Sequence, residues 1–236
     1  MSHRLLQRFS KIDNIENHTF FPQSLSTDSV VIDLGANLGR FSTAIARRYG
    51  LRCFGVEPNP ALFEQLRPHN TDRLQFFHFA INGSDGPIVL NVSGEITTSS
   101  VITAKVPDAK GQVEVPGKML GTFLREQGIS GVDVLKVDIE GAEVGMFDSL
   151  SDESLRKIRQ ITIEFHDHHG FITREQMQAI RRRLRDLGFH GIKFSPNNTN
   201  WLFFQPEVAG PLRRFYVKYI VRNIRGPMRR LGFRYD

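Results

Sequence analysis

The 236-residue sequence predicts an α/β domain built on a mostly parallel, doubly wound sheet. Three observations carry that prediction. Strand and helix signals alternate along most of the chain. The stretch from Val30 to Arg40 reads as a buried strand, a glycine turn and the start of a helix. The last two strand signals flank Pro196-Asn197-Asn198, a hairpin signal that would turn the final strand antiparallel.

The elements follow in order. Leu5, Leu6, Phe9 and Ile12 fall at amphipathic spacing, so residues 1–27 are expected as an N-terminal helical segment. Val30, Val31, Ile32 and Leu34 make a strand that is apolar on both faces, as the interior of a parallel sheet requires. Strands are expected near 30–34, 52–57, 74–81, 132–138, 158–165, 189–194 and 200–205, and helices near 39–49, 60–67, 118–127, 141–150 and 173–187. Residues 82–117 break the alternation. They are rich in Ser, Thr, Gly and Pro, with short strand signals at 88–92 and 113–115, and read either as an ordinary surface hairpin or as part of an acceptor-site wall. The main domain is expected over 28–207, with a basic amphipathic tail over 208–236.

The glycine turn sets the ligand. Gly35 and Gly39 allow a tight turn and a close backbone approach, and the helix that follows offers free N–H groups. A dinucleotide fingerprint needs G-x-G-x-x-G, and Asn37 stands where its second glycine would be. Asp33 at the strand end would also repel a pyrophosphate while tolerating an amino group or a sulfonium. Glu57 closes the next strand 22 residues after Gly35, near the ~20-residue offset at which an acid binds ribose hydroxyls. Pro58 and Pro60 then end that strand and open a helix.

Together, D-x-G-A-N-x-G and G-V-E-P-N-P resemble the S-adenosylmethionine loop of Rossmann-like methyltransferases. The run from Val132 to Glu143, V-D-V-L-K-V-D-I-E-G-A-E, is similar to the signature of the FkbM family of methyltransferases, and Ile163-Glu164-Phe165-His166 resembles the strand that follows in that family. The resemblance spans roughly residues 28–205. It implies the Rossmann-like class I methyltransferase fold, a mostly parallel seven-stranded sheet with an antiparallel last strand. It also implies S-adenosylmethionine as cofactor and O-methylation of a hydroxyl on a sugar, glycolipid or secondary metabolite. Where the family carries a T-L-D-like segment this chain has Met119-Leu120-Gly121, so no role is transferred there.

Asp33, Gly35, Asn37, Gly39, Glu57 and Asp138 are the expected cofactor residues, and Asp138, Glu164 and His166 the expected catalytic ones. Asp138 and Glu140 end one strand and Glu164 and His166 its neighbour, at the carboxyl ends where open α/β sheets bind ligands. His166 is the preferred base because an ordinary imidazole titrates nearest neutrality. Glu140 and Glu143 are equally explained as partners of a helix dipole. His166-Asp167-His168-His169 lacks partners at structural-zinc spacing, so no metal is expected, although an oxygen-rich Mg²⁺ or Mn²⁺ site at Asp138 and Glu164 is conceivable. Lys136, inside a buried strand, is expected to pair with a carboxylate. The arginines from Arg181 to Arg185 read as the solvated face of a helix.

Bulk properties narrow the class. The net charge is +6, but the tail alone holds eight basic groups and one acid, leaving positions 1–207 with 23 basic and 24 acidic residues. A nucleic-acid partner is therefore disfavoured, as is base methylation, because Asp138-Ile139-Glu140-Gly141 stands where a [DN]-P-P-[YF] motif would be. A non-catalytic nucleoside- or membrane-binding module is the other alternative. Val217, Ile220, Val221, Ile224, Met228 and Leu231 share one helical face of the tail, flanked by arginines, which suits packing on the domain, a second subunit or an anionic membrane surface. No apolar run approaches ~18 residues, and the single Cys53 lies in a predicted buried strand. A cytoplasmic protein, at most peripheral to the membrane, is expected.

Overall fold

A computed structural model describes residues 12–93, 99–100, 109–166, 171–195 and 199–217. In chain order the strands are β1 (Asp13–Ile15), β2 (His18–Phe20), β3 (Val30–Leu34), β4 (Arg52–Val56), β5 (Leu74–Phe77), β6 (Ala80–Ile81), β7 (Gly86–Ser93), β8 (Ser99–Ser100), β9 (Ala109–Lys118), β10 (Val134–Val137), β11 (Gln160–Glu164), β12 (His190–Lys193) and β13 (Asn200–Phe204). The helices are α1 (Arg40–Tyr49), α2 (Pro60–Leu66), α3 (Leu120–Glu126), α4 (Glu143–Ser149), α5 (Asp152–Arg156), α6 (Arg174–Asp186) and α7 (Pro211–Tyr216).

Seven strands form the main sheet in the order β12-β13-β11-β10-β3-β4-β5. From β11 to β5 all neighbours are parallel, whereas β13 runs antiparallel to both β11 and β12. This is the expected Rossmann-like class I methyltransferase fold, with its antiparallel last strand. The sheet is covered on both faces because β3 is apolar on both. Ile32 and Leu34 join Phe123, Met146, Phe147 and Leu184 in one cluster, while Val31 joins Phe41, Ile45 and Cys53 in another. The sheet reverses its order between β3 and β10, and a ligand crevice belongs beyond the carboxyl ends of those strands.

Local chemistry explains the helix starts. Asn59 caps α2 by accepting from the Ala61 N–H, and Pro60 occupies the first turn, where no donor is needed. Thr173 and Gln176 form a capping box at α6, whose Met177, Ile180 and Leu184 face the core. Of the arginines expected on a solvated face, Arg182 and Arg185 are exposed, but Arg181 stacks on the Trp201 ring at 3.8 Å and Arg183 reaches back to the carbonyls of Phe147 and Leu150.

Two expectations are corrected. Residues 13–20 of the expected helical segment instead form the β1–β2 hairpin. Its turn is Glu16-Asn17, with φ of 47° and 66°, as a two-residue hairpin turn demands. The helix signal at Leu5, Leu6 and Phe9 lies outside the described residues. Second, the run 74–81 is two strands: β5 ends the main sheet, and β6 leaves it to pair with β9. The segment after it does contain the expected hairpin pairing, β7 antiparallel to β9 with Ile88 opposite Val115. β6, β9, β7 and β8 form a second sheet around Ala80, Leu90 and Val115.

The first and last described residues pack together. Gln160 on β11 accepts from the Phe21 N–H at 2.7 Å and donates to the Phe21 carbonyl and Ser24 hydroxyl, which docks the hairpin. Ile12, Phe21, Leu202, Phe204, Val208, Ala209 and Val217 share a third apolar cluster. The tail therefore begins as core, and the remainder of its apolar face, from Ile220 to Leu231, lies outside the described residues.

Candidate active site

Beyond the carboxyl ends of β3, β4 and β10 lies a cleft. Gly35, Asn37, Glu57, Asp138 and Glu140 supply its polar wall, and Val56, Leu62, Ala80, Ile81 and Ile139 its apolar wall. Glu57 follows β4 and Asp138 follows β10, the two strands that flank β3, so the sheet itself sets them on either side of the glycine turn.

The glycine loop is built by close approach within the protein. Gly35 has φ +77°, and a Cβ there would stand 1.9 Å from the Asp138 carbonyl oxygen. Gly39, at φ +69°, would place a Cβ 2.6 Å from Leu66 Cδ2 and 3.0 Å from the Phe76 ring. Both glycines therefore let the loop pack down on the sheet and α2; Gly35 also lines the cleft, and Gly39 lies behind it. Asn37 is left-handed as well, at φ 53°.

Glu57 holds this loop. One carboxylate oxygen accepts from the Asn37 N–H at 2.7 Å and the other from the Asn59 N–H at 2.8 Å. Burial opposes its ionisation, the two N–H groups favour it, and the balance pushes the carboxyl up to about 7.

Asp33 does not reach the cleft. It is wholly buried, accepting from the Ser42 hydroxyl at 2.6 Å and pairing with Lys136 Nζ at 3.0 Å. The register sets Asp33 directly opposite Lys136. Lys136 also donates to the Gly35 carbonyl and lies 3.6 Å from Asp138 Oδ2. The buried lysine thus has its expected carboxylate partner, and it ties the glycine turn to the cleft's central acid. Burial works against the ammonium, but Asp33 and Asp138 overcome it and raise its pKa. Burial likewise works against ionised Asp138, yet Lys136, His18 and His166 hold that carboxyl well below the usual range.

The third group surrounds His166, which is buried. Its Nδ1 is 2.6 Å from Glu143 Oε1, and its Nε2 is 3.5 Å from Asp138 Oδ1 and 3.6 Å from Glu140 Oε2. Burial disfavours the charged ring, but the Glu143 hydrogen bond and the three carboxylates lift its pKa to about 9. The ordinary imidazole pKa therefore does not apply here, because the ring sits among acids that favour its protonated form. Glu140 is pushed up by burial and takes a left-handed backbone, φ 46°. Glu164 lies 3.5 Å from the Asn200 amide nitrogen, and with His18 and Asp138 it forms a second close group.

Two site residues escaped the sequence. His18 is delivered by the β1–β2 hairpin to within 3.6 Å of Asp138 Oδ2; the Glu16-Asn17 turn before it was the available signal. Glu143, read as a dipole partner, is wholly buried and clamps His166. The neighbours His168 and His169 lie outside the described residues.

A parallel sheet with this strand order, a cleft at its reversal and an acid on the second strand define a nucleoside-binding methyltransferase. A family model described as the Methyltransferase FkbM domain matches residues 33–190, and the chain belongs to that family. It is 27% identical over 166 residues to Methyltransferase 1 of Beauveria bassiana, covering 61% of this chain and 67% of that one. It is 26% identical over 178 residues to the 31-O-demethyl-FK506 methyltransferase FkbM of Streptomyces tacrolimicus, covering 62% and 68%. To the 2-O-methyltransferase NoeI of Sinorhizobium fredii it is 24% identical over 170 residues, covering 65% and 70%.

The cofactor is S-adenosylmethionine, and the cleft's donor set fits it. A carboxylate has about four lone-pair sites. Glu57 uses one per oxygen on the backbone, which leaves one on each for the two ribose hydroxyls. Leu62, Ala80 and Ile81 offer an apolar wall for a purine, and Asp138 a negative charge for an ammonium or sulfonium.

Proposed function

We propose that the protein transfers a methyl group to a hydroxyl oxygen of a sugar, glycolipid or secondary metabolite. The observation that carries this reading is a pair of groups that share Asp138, one with His18 and Glu164 and one with Glu140 and His166, of which Asp138 and Glu140 line the cleft. An alkyl hydroxyl is a poor nucleophile and needs a proton acceptor, worth ~10²–10⁴-fold in rate; the carboxylates of these groups supply acceptors after two adjacent strands, β10 and β11. Two of the relatives carry O-methyl transfer in their names, which supports oxygen as the acceptor atom.

When bound, S-adenosylmethionine supplies a methyl group on a positively charged sulfur. Glu57 would hold the ribose hydroxyls, and the Gly35–Asn37 turn would fix the nucleoside against the apolar wall. Asp138 would orient the acceptor O–H; as the oxygen–methyl bond forms and the methyl–sulfur bond breaks to leave S-adenosylhomocysteine, the hydroxyl proton would pass to a carboxylate, Asp138 or Glu164, with the charged His166 ring beside Asp138. The neighbouring sheet of β6, β7 and β9 brings Ala80 and Ile81 to the cleft and helps to exclude water. We place the protein in the cytoplasm, with its basic tail against the anionic membrane surface where a glycolipid acceptor would lie. No helix among the described residues is long and apolar enough to cross a membrane.

The test is product analysis. The protein, incubated with methyl-labelled S-adenosylmethionine and a panel of glycans, glycolipids and polyhydroxylated metabolites, should yield a product heavier by one methylene and labelled on oxygen. Label found only on nitrogen or carbon would overturn the reading.

A further inference from the structure

Asp138, Glu140 and His166 offer one ligand atom each, all within 4.8 Å of one another. The distances from His166 Nε2, 3.5 Å to Asp138 and 3.6 Å to Glu140, exceed the ~2.9 Å of a direct N–H···O bond. They match donors that share an ion, which on binding would take the place of the Nε2 proton. Ligands held at ~2.1 Å in tetrahedral or octahedral directions stand roughly 3.0–4.2 Å apart.

A second observation is independent of those three atoms. Glu143 is wholly buried; its Oε1 receives the His166 Nδ1 proton at 2.6 Å, while its Oε2 is buried without a hydrogen-bond partner. A carboxylate on Nδ1 fixes the ring with Nε2 presented outward, which is how metal-ligating histidines are held. A buried carboxylate left half satisfied is costly. More positive charge on the far side of the ring than one imidazole carries would offset that cost.

Asp138 decides between the two possible ligand sets. Its Oδ2 lies 3.6 Å from both Lys136 Nζ and His18 Nε2, so that oxygen already faces an ammonium. Its Oδ1 faces His166. The set of His18, Asp138 and Glu164 has Lys136 beside it, which disfavours a cation there.

We propose that Asp138, Glu140 and His166 bind one divalent cation, with Glu143 as a positioning residue. Two carboxylates and one imidazole select an oxygen-preferring ion of the Mn²⁺ or Mg²⁺ kind. Asp138 and Glu140 line the cleft, so the ion's remaining coordination positions border the acceptor space, where it would polarise an entering oxygen. The expectation of no metal rested on zinc spacing in the sequence. Folding assembles a different set, from the end of β10, the turn after it and the residues following β11.

The proposal concerns ion binding and stands whether or not the acceptor is a hydroxyl. Its test is titration of the chelator-treated full chain with Mn²⁺, followed by the loss of the free-ion electron paramagnetic resonance signal. One ion per chain is expected. Glu140→Gln and His166→Ala should each weaken binding at least tenfold, and Glu143→Gln by about 10–100-fold. Glu164→Gln should leave it unchanged. S-adenosylhomocysteine binding by each variant confirms that it has folded. No Mn²⁺ binding by the wild type, or binding indifferent to Glu140→Gln but lost in Glu164→Gln, would overturn the site. The O-methyl reading is decided separately, by the labelled product.

Discussion

On the proposed reading Glu57 holds both the glycine loop and the ribose hydroxyls with one carboxylate, and its protonation links the two. Binding of ribose hydroxyls favours the ionised form, and burial raises the pKa to about 7. Affinity for S-adenosylhomocysteine should therefore fall as the pH drops through that value, by up to about tenfold per pH unit, and level off above it. Calorimetry on both sides of neutrality checks this, and a flat wild-type profile would contradict it. For stability, the folded chain holds the extra proton between the ordinary value of 4.5 and about 7, so ionising Glu57 removes stability as the pH rises through that window. Glu57→Ala, which also frees the Asn37 and Asn59 amides, should weaken the cofactor by ~2 kcal/mol or more. His166→Ala, which removes the group facing Asp138 and Glu140, should instead lower kcat while sparing cofactor affinity; steady-state kinetics beside calorimetry separates the two. At this scale the sequence was only partly legible. Glu57 shows itself by its offset from Gly35, but the deep placement of Asp33 does not, because an acid at a strand end looks alike whether it faces a ligand or a buried lysine.

Among the elements, the junction of β3 with β10 bears the most strain on substitution. Lys136→Met would leave Asp33 a buried, unpaired charge, at a cost of ~3–5 kcal/mol. Denaturant unfolding should show that loss, with much of it recovered when Asp33→Asn is added; additive losses would argue against the pairing. Gly35→Ala meets both the left-handed backbone and the Asp138 carbonyl, and should displace the turn and abolish cofactor binding. Long apolar strands such as β3 and β4 were readable because burial on both faces leaves no polar alternation. The division of 74–81 was not readable, since Phe76, Phe77, Phe79, Ala80 and Ile81 are apolar throughout. Only tertiary pairing shows that β6 leaves one sheet for another. The β1–β2 hairpin was hidden by its brevity, three residues per strand, too short for a period-2 signal.

For the molecule as a whole, the family match and the folded unit have different limits. Val208, Ala209 and Val217 are buried against Ile12, Phe21 and Phe204, and full burial of a valine side chain is worth ~1.5–3 kcal/mol. Ending the chain after Glu207 should therefore lower the unfolding midpoint, whereas ending it after Lys218 should keep the fold and the cofactor site while removing most of the basic tail. Vesicle flotation of that longer form tests the tail's membrane role: persistent binding to anionic lipid would assign it elsewhere. The hairpin that brings His18 to Asp138 carries the same lesson toward the N-terminus. It precedes the residues that match the family, 33–190, as β13 with its Asn200 follows them. A fragment trimmed to the matched residues would expose a bare sheet edge at β11, lose Phe20 and Phe21 from the interior and leave Asp138 without one of its neighbours. The chemistry common to the family sits in the middle of the chain. The flanks enclose it, so inherited variation there can retune the site while every signature residue stays in place.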